Sequence, residues 1–197
     1  MGQKTSKLSS EDMASLRAET RFSSRELHQW YKGFRRDVPG GELTKDEFIK
    51  IHRQFYPFGD ATEFANYAFD AMDMSGTGRI TFSDFMRSLS VASRGTVEEK
   101  LAWSFQMYDR DRDGLISYKD LLSVIKSIYR MIGTQVVKFD ENELTPELKA
   151  DLIWEGYGKD IDERGKETGY ITLEEWSDSE KVSDSVINAI NVYSDLI

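Results

Sequence analysis

The sequence predicts an all-α protein of four helix–loop–helix units arranged as two pairs, and three observations point there. A twelve-residue frame with glycine sixth, an apolar residue eighth and a carboxylate twelfth begins at Arg36, Asp73 and Asp109, and its second half returns around Gly169. The first three starts lie thirty-seven and thirty-six residues apart, the length of one helix–loop–helix unit with its connector. Between the frames, ELHQWYKGF, EFANYAFDAM and EKLAWSFQMY set aromatic or aliphatic residues every three or four positions, as the inward stripe of an amphipathic helix requires. Ser23-x-x-Glu26, Thr44-x-x-Glu47, Asp60-x-x-Glu63 and Thr96-x-x-Glu99 read as capping boxes, and Thr145-Pro146-Glu147 as a further helix start.

The first frame, RDVPGGELTKDE, keeps Gly41, Leu43 and Glu47 but has Arg36, Val38 and Gly40 at positions 1, 3 and 5. Arg36 repels a cation, Val38 offers no oxygen and Pro39 stiffens the turn, so this loop is predicted to be disabled. The second, DMSGTGRITFSD, presents Asp73, Ser75, Thr77, the backbone carbonyl of Arg79, Thr81 and Asp84 at positions 1, 3, 5, 7, 9 and 12. The third, DRDRDGLISYKD, presents Asp109, Asp111, Asp113, the carbonyl of Leu115, Ser117 through a water, and Asp120. So many carboxylates in one turn repel each other unless a cation lies among them. Oxygens at these six positions, with glycine at the sixth, are the donor set of a calcium-binding EF-hand loop.

Two features weaken the sites. Loops two and three both close on aspartate, one methylene shorter than the glutamate that donates both oxygens, so coordination falls toward the six ligands that suit magnesium. Arg110, Arg112 and Lys119 also offset three of the four charges of loop three. The fourth frame, ending TGYITLEEW, keeps Gly169, Ile171 and Glu175 but has Arg164, Lys166 and Thr168 at positions 1, 3 and 5, inside a long segment GKDIDERGKET. It is predicted to bind no metal in the usual manner, the alternative being an enlarged loop in which Asp160 or Asp162 joins Glu175. Short β bridges are expected between Leu43 and Ile80 and between Ile116 and Ile171. The expected organisation is an N-terminal pair over residues 1–93 and a C-terminal pair with a final helix over 94–197.

Composition narrows the function. The 197 residues carry 35 acidic and 26 basic side chains, a net charge of −9 that disfavours nucleic acid and suits a cation or a basic partner. There is no cysteine, which excludes disulfides and thiolate metal sites. His28 and His52 are the only histidines and no G-x-S-x-G motif occurs, so no enzyme is expected; both are assigned to a solvent-facing or groove-rim role on helices. No apolar run is long enough to cross a bilayer and the start lacks a secretion signal, so a cytoplasmic protein is expected. Met1-Gly2 with Ser6 matches M-G-x-x-x-[ST], making Gly2 a candidate for N-myristoylation. One acyl chain gives reversible membrane attachment, to which Lys4 and Lys7 add little.

These segments together resemble the neuronal calcium sensor family, which includes recoverin, neurocalcin and frequenin. The resemblance rests on MGQKTSKLS at the start, QWYKGF at 29–34, FYPFGD at 55–60, SRGTVEEKLAWSFQMYD at 93–109 and the terminal VYSDLI, and runs nearly end to end. The tail and YKGFRRD are most similar to the frequenin branch. The resemblance implies paired EF-hands, a silent first loop, an N-myristoyl group, and a helix of a target protein held in an apolar groove. It places Trp30, Phe34, Phe48, Ile51, Phe55, Phe85 and Leu89 in that groove. In the frequenin branch it implies a phosphatidylinositol 4-kinase as partner, at Golgi membranes. Two functions follow: a calcium-responsive regulator, or a constitutive adaptor whose loops hold structural magnesium.

Overall fold

The computed structural model describes residues 8–133, 145–160 and 169–178. A leading helix, α1 (Ser10–Glu19), starts at Ser9, whose hydroxyl accepts the Asp12 amide, and packs on the helices Ser24–Asp37 and Phe82–Arg94, with its Leu16 buried. Four helix–loop–helix units follow. Loop one joins α2 (Ser24–Asp37) to α3 (Lys45–Phe55), and loop two joins α4 (Thr62–Met72) to α5 (Phe82–Arg94). Loop three joins α6 (Val97–Tyr108) to α7 (Tyr118–Ile132), and the fourth unit runs from α8 (Pro146–Gly156) to the short α9 (Leu173–Ser177). No described helix is long and apolar enough to cross a membrane.

Each loop turns at its sixth residue, where Gly41, Gly78, Gly114 and Gly169 take φ of +86°, +75°, +86° and +88°. A Cβ is disfavoured in that region, which is why glycine recurs there. Directly after that glycine in the first three loops, and two residues on in the fourth, the chain is extended for two or three residues, and the loops pair back to back. β1 (Glu42–Thr44) runs antiparallel to β2 (Arg79–Thr81) with Leu43 opposite Ile80, and β3 (Leu115–Ile116) to β4 (Ile171–Thr172) with Ile116 opposite Ile171, as the sequence predicts.

The exiting helices begin identically. Thr44, Thr81, Ser117 and Thr172, the ninth loop residues, are N-caps whose hydroxyls accept the amides of Glu47, Asp84, Asp120 and Glu175, the twelfth. Those carboxylates return the bond to the N-cap amide, closing a capping box. Ser23–Glu26 and Thr96–Glu99 form the boxes expected of them. Asp60–Glu63 does not. Ala61 is the N-cap of α4, Asp60 accepts the Thr62 amide at 3.0 Å, and Glu63 is taken by the Tyr67 hydroxyl at 2.8 Å and the Arg130 guanidinium at 2.5 Å. The Asp60 amide meanwhile donates to the Arg130 carbonyl at the end of α7.

The core is continuous through both pairs because α4 packs on α6 and α7 as well as on its own partner α3. Phe64 and Phe69 of α4 and Leu101 of α6 are buried in it. Trp176 of α9 lies fully buried between Tyr108 and Tyr157, ring centroids 4.7 and 5.6 Å away, with its indole N–H donated to Ser104 Oγ. These contacts fix the two loop pairs against a shared set of helices.

Candidate metal loops and an apolar groove

Helix α4 delivers Asp73 to loop two with its carboxylate nearly buried. Asp73 Oδ2 accepts the Gly78 amide at 2.6 Å, and Oδ1 accepts the Thr77 amide at 3.0 Å and the Ser75 hydroxyl at 3.2 Å. Ser75 Oγ lies 3.2 Å from Thr77 Oγ1, which donates to the Arg79 carbonyl at 3.2 Å. Oxygens from positions 1, 3, 5 and 7 are therefore linked at the spacing of neighbouring atoms around one ion. Asp84 is 4% exposed; its Oδ2 accepts the Thr81 amide and hydroxyl, and its Oδ1 stands 3.8 Å from Arg87.

In loop three, Asp109 accepts the Asp113 and Gly114 amides at 3.1 and 3.0 Å, and Asp113 accepts the Leu115 amide at 2.8 Å. One carboxylate oxygen from each of Asp109, Asp111 and Asp113 lies within 4.8 Å of the others. Burial, and then Asp113 and Asp111, push the Asp109 carboxyl up, against the opposing amide bonds from Gly114 and Asp113. A cation at that point removes the penalty, so the donor set fits a divalent ion. Asp120 stands outside the cluster, its Oδ2 capping the Ser117 hydroxyl at 2.6 Å. Leu115 opens β3, paired with Thr172.

The other loops are occupied differently. In loop one Val38 is buried and Arg36 pairs with Asp37 at 2.8 Å, while the Arg35 guanidinium lies against the face of Gly41 where a Cβ would project. In the fourth, Glu175 Oε1 accepts Lys159 Nζ at 2.7 Å, which holds the glutamate below the usual carboxylate range. Residues 164, 166 and 168 and Asp162 lie outside the described residues, as do Gly2 and the terminal VYSDLI; Asp160 accepts the Trp154 indole N–H through its carbonyl at 3.4 Å.

Between α2, α3 and α5 lies an apolar groove of about 500 Å³. Trp30, Phe34, Phe48, Ile51, Phe55 and Phe85 line it; Leu89 does not, being 2% exposed in the core. Trp30 and Phe34 meet Phe85 at 5.9 and 5.7 Å between ring centroids, and Phe55 stands 56% exposed. His52 also lines the groove rather than facing solvent: it is 7% exposed, stacked on Phe48 at 5.5 Å, and burial lowers its pKa to about 4. His28 is exposed, with Nδ1 2.7 Å from the Ser24 carbonyl.

The EF-hand family profile matches residues 102–125, the end of α6 through loop three into α7. Over 192 residues, 98% of this chain and 97% of the relative, the sequence is 43% identical to neuronal calcium sensor 1 of Lymnaea stagnalis. It is 42% identical over the same span to neuronal calcium sensor 1 of Aplysia californica. The chain belongs to the neuronal calcium sensor family. The matched profile covers loop three, where the carboxylates cluster, and the groove also has lining residues absent from the sequence-based set. Val38 and Met72 both line the groove. Met72 was signalled by its place as the last apolar residue before Asp73, and Val38 by being apolar where an oxygen belongs.

Proposed function

We propose that this neuronal calcium sensor family member is a calcium-responsive regulator that grips an amphipathic helix of a target enzyme. Asp73, Ser75, Thr77, the Arg79 carbonyl and Asp84 would hold one ion, and Asp109, Asp111, Asp113, the Leu115 carbonyl and Asp120 another. The observation that carries this reading is an adjacency. Met72 and Phe85, two walls of the groove, are the covalent neighbours of Asp73 and Asp84, the first and last carboxylates of loop two. Drawing those carboxylates to one centre must turn α4 against α5, and that turn is felt in the groove. An ion supplies the positive centre; the chain supplies the lever.

The partner is read as a helix with apolar anchors at i, i+3, i+4 and i+7, which suits a cleft lined by five aromatic side chains. By likeness to the frequenin branch, the target is a phosphatidylinositol 4-kinase at Golgi membranes, and Gly2 carries a myristoyl group that makes membrane attachment reversible. The test is calorimetry of such a helical peptide against the full chain with calcium and with chelator. Tighter binding with calcium, lost in Asp84→Ala, supports the reading; equal affinity in both conditions rejects it.

A second reading, a constitutive adaptor with magnesium in the same loops, is favoured by the short closing aspartates and by Asp120 standing outside its cluster. Calcium titration in millimolar magnesium separates the two, since the adaptor gives no heat at micromolar calcium.

A further inference from the structure

Loop three does more than offer oxygens. Asp109, its first carboxylate, lines a cleft of about 340 Å³ whose opposite wall is α4, the helix that runs directly into loop two. The two cationic side chains of the loop's first half cross that cleft. The Arg110 guanidinium sits 4.8 Å over the Tyr67 ring, and Arg112 Nη2 donates to the Asp70 carbonyl at 3.1 Å.

Asp70 is three residues before Asp73, in the last turn of α4, where a helix leaves carbonyls without amide partners and where its dipole favours positive charge. Its carboxylate is held from the other side by Lys45 Nζ at 2.8 Å. The backbone marks Arg112 as well. Among the described residues it is the one non-glycine with positive φ, +60°, and the equivalent fourth residue of loop two is Gly76 at +66°. A long side chain persists in that region only where its surroundings hold it there.

We propose that Arg110 and Arg112 are positioning residues that couple the two metal loops across the molecule. An ion in loop three fixes the backbone at 110 and 112; their guanidinium groups fix the last turn of α4; Asp73 is thereby presented to the ion of loop two. The coupling runs equally in reverse. It rests on the reading that both loops take calcium.

Simple electrostatics predicts the opposite sign, which makes the test sharp. Removing a cation beside two acidic loops should tighten both; removing a coupling group should weaken each loop when the other is filled, and should not weaken a loop read with the other disabled. Calcium calorimetry on the full chain would compare the parent, Arg112→Gly and Arg112→Lys, with Asp109→Ala used to read loop two alone and Asp73→Ala to read loop three alone. Glycine suits the positive φ, so the fold is retained. The expected result is that loop two in Arg112→Gly loses about five- to tenfold in affinity, matching its loss in Asp109→Ala. Loop three in Asp73→Ala is unchanged or tighter with the same substitution, and lysine restores the parent values. In metal-free protein, amide exchange at residues 71–73 should quicken in Arg112→Gly and not in Arg112→Lys. Two ions bound with loop two unchanged or tighter in Arg112→Gly overturns the coupling alone. A parent that takes up no calcium in loop two overturns the calcium reading and the coupling with it.

Discussion

Asp120 has two claims on one carboxylate. It accepts the Ser117 hydroxyl at the start of α7, and in the proposed reading it is also the closing ligand of loop three. A glutamate there has the reach to keep the cap with one oxygen and approach Asp109, Asp111 and Asp113 with the other. Asp120→Glu should therefore raise calcium affinity at loop three roughly tenfold, about 1.4 kcal/mol, read by calorimetry in an Asp73→Ala background. No gain would mean that chain length does not limit the site. His52 makes a second prediction at this scale. Burial lowers its pKa from 6.5 to about 4, so the unfolded chain binds the extra proton between those values. The stability it confers is complete above pH 6.5 and declines as pH falls toward 4, with a slope of at most about 1.4 kcal/mol per pH unit. Replacing it in His52→Gln should remove that part of the slope in urea unfolding curves taken across the window.

At the scale of elements, α4 is the most constrained helix. Its approach is closed by glycines: a Cβ on Gly59 would meet the Met131 and Arg130 carbonyl oxygens, and one on Gly133 the Phe58 carbonyl. Gly59→Ala should cost about 2 kcal/mol or more, seen as a lower urea midpoint with an unchanged slope. Much of this level was legible in advance. The glycine and apolar positions of each frame located the turns and the β register, because glycine takes a positive φ at least cost and the apolar eighth residue fills the buried side of the bridge. The Asp60–Glu63 box was misread because local spacing cannot reveal that Arg130, sixty-seven residues away, competes for Glu63. Leu89 is placed in the groove by the family resemblance, whose residues also recur at helical spacing. A helical stripe identifies the inward face of α5 but not which of its residues meet other helices and which remain open to the cleft.

For the whole molecule, the sequence indicated paired loops but not that the pairs are tied through one helix. That tie is the packing of α4 on α6 and α7, to which Arg110 and Arg112 add contacts with Tyr67 and the Asp70 carbonyl; their charges read as mere compensation for aspartates until the far side of the cleft is known. Membrane behaviour belongs to the same scale. The net charge of −9 disfavours an anionic bilayer, so the membrane attachment proposed above rests on the proposed acyl chain. Protein co-expressed with an N-myristoyltransferase should sediment with anionic vesicles, and Gly2→Ala protein should stay in the supernatant. Equal sedimentation of the two would remove the lipid from the account.

The distribution of indoles has a practical outcome. Trp103, Trp154 and Trp176 are buried, at 6%, 0% and 0% exposure, while Trp30 is half-buried on the wall of the cleft. Near-ultraviolet excitation therefore yields one fluorophore whose emission wavelength follows local hydration and three held in dry surroundings. A visiting peptide without tryptophan would register as a blue shift of that single component, so the chain carries its own optical gauge of occupancy.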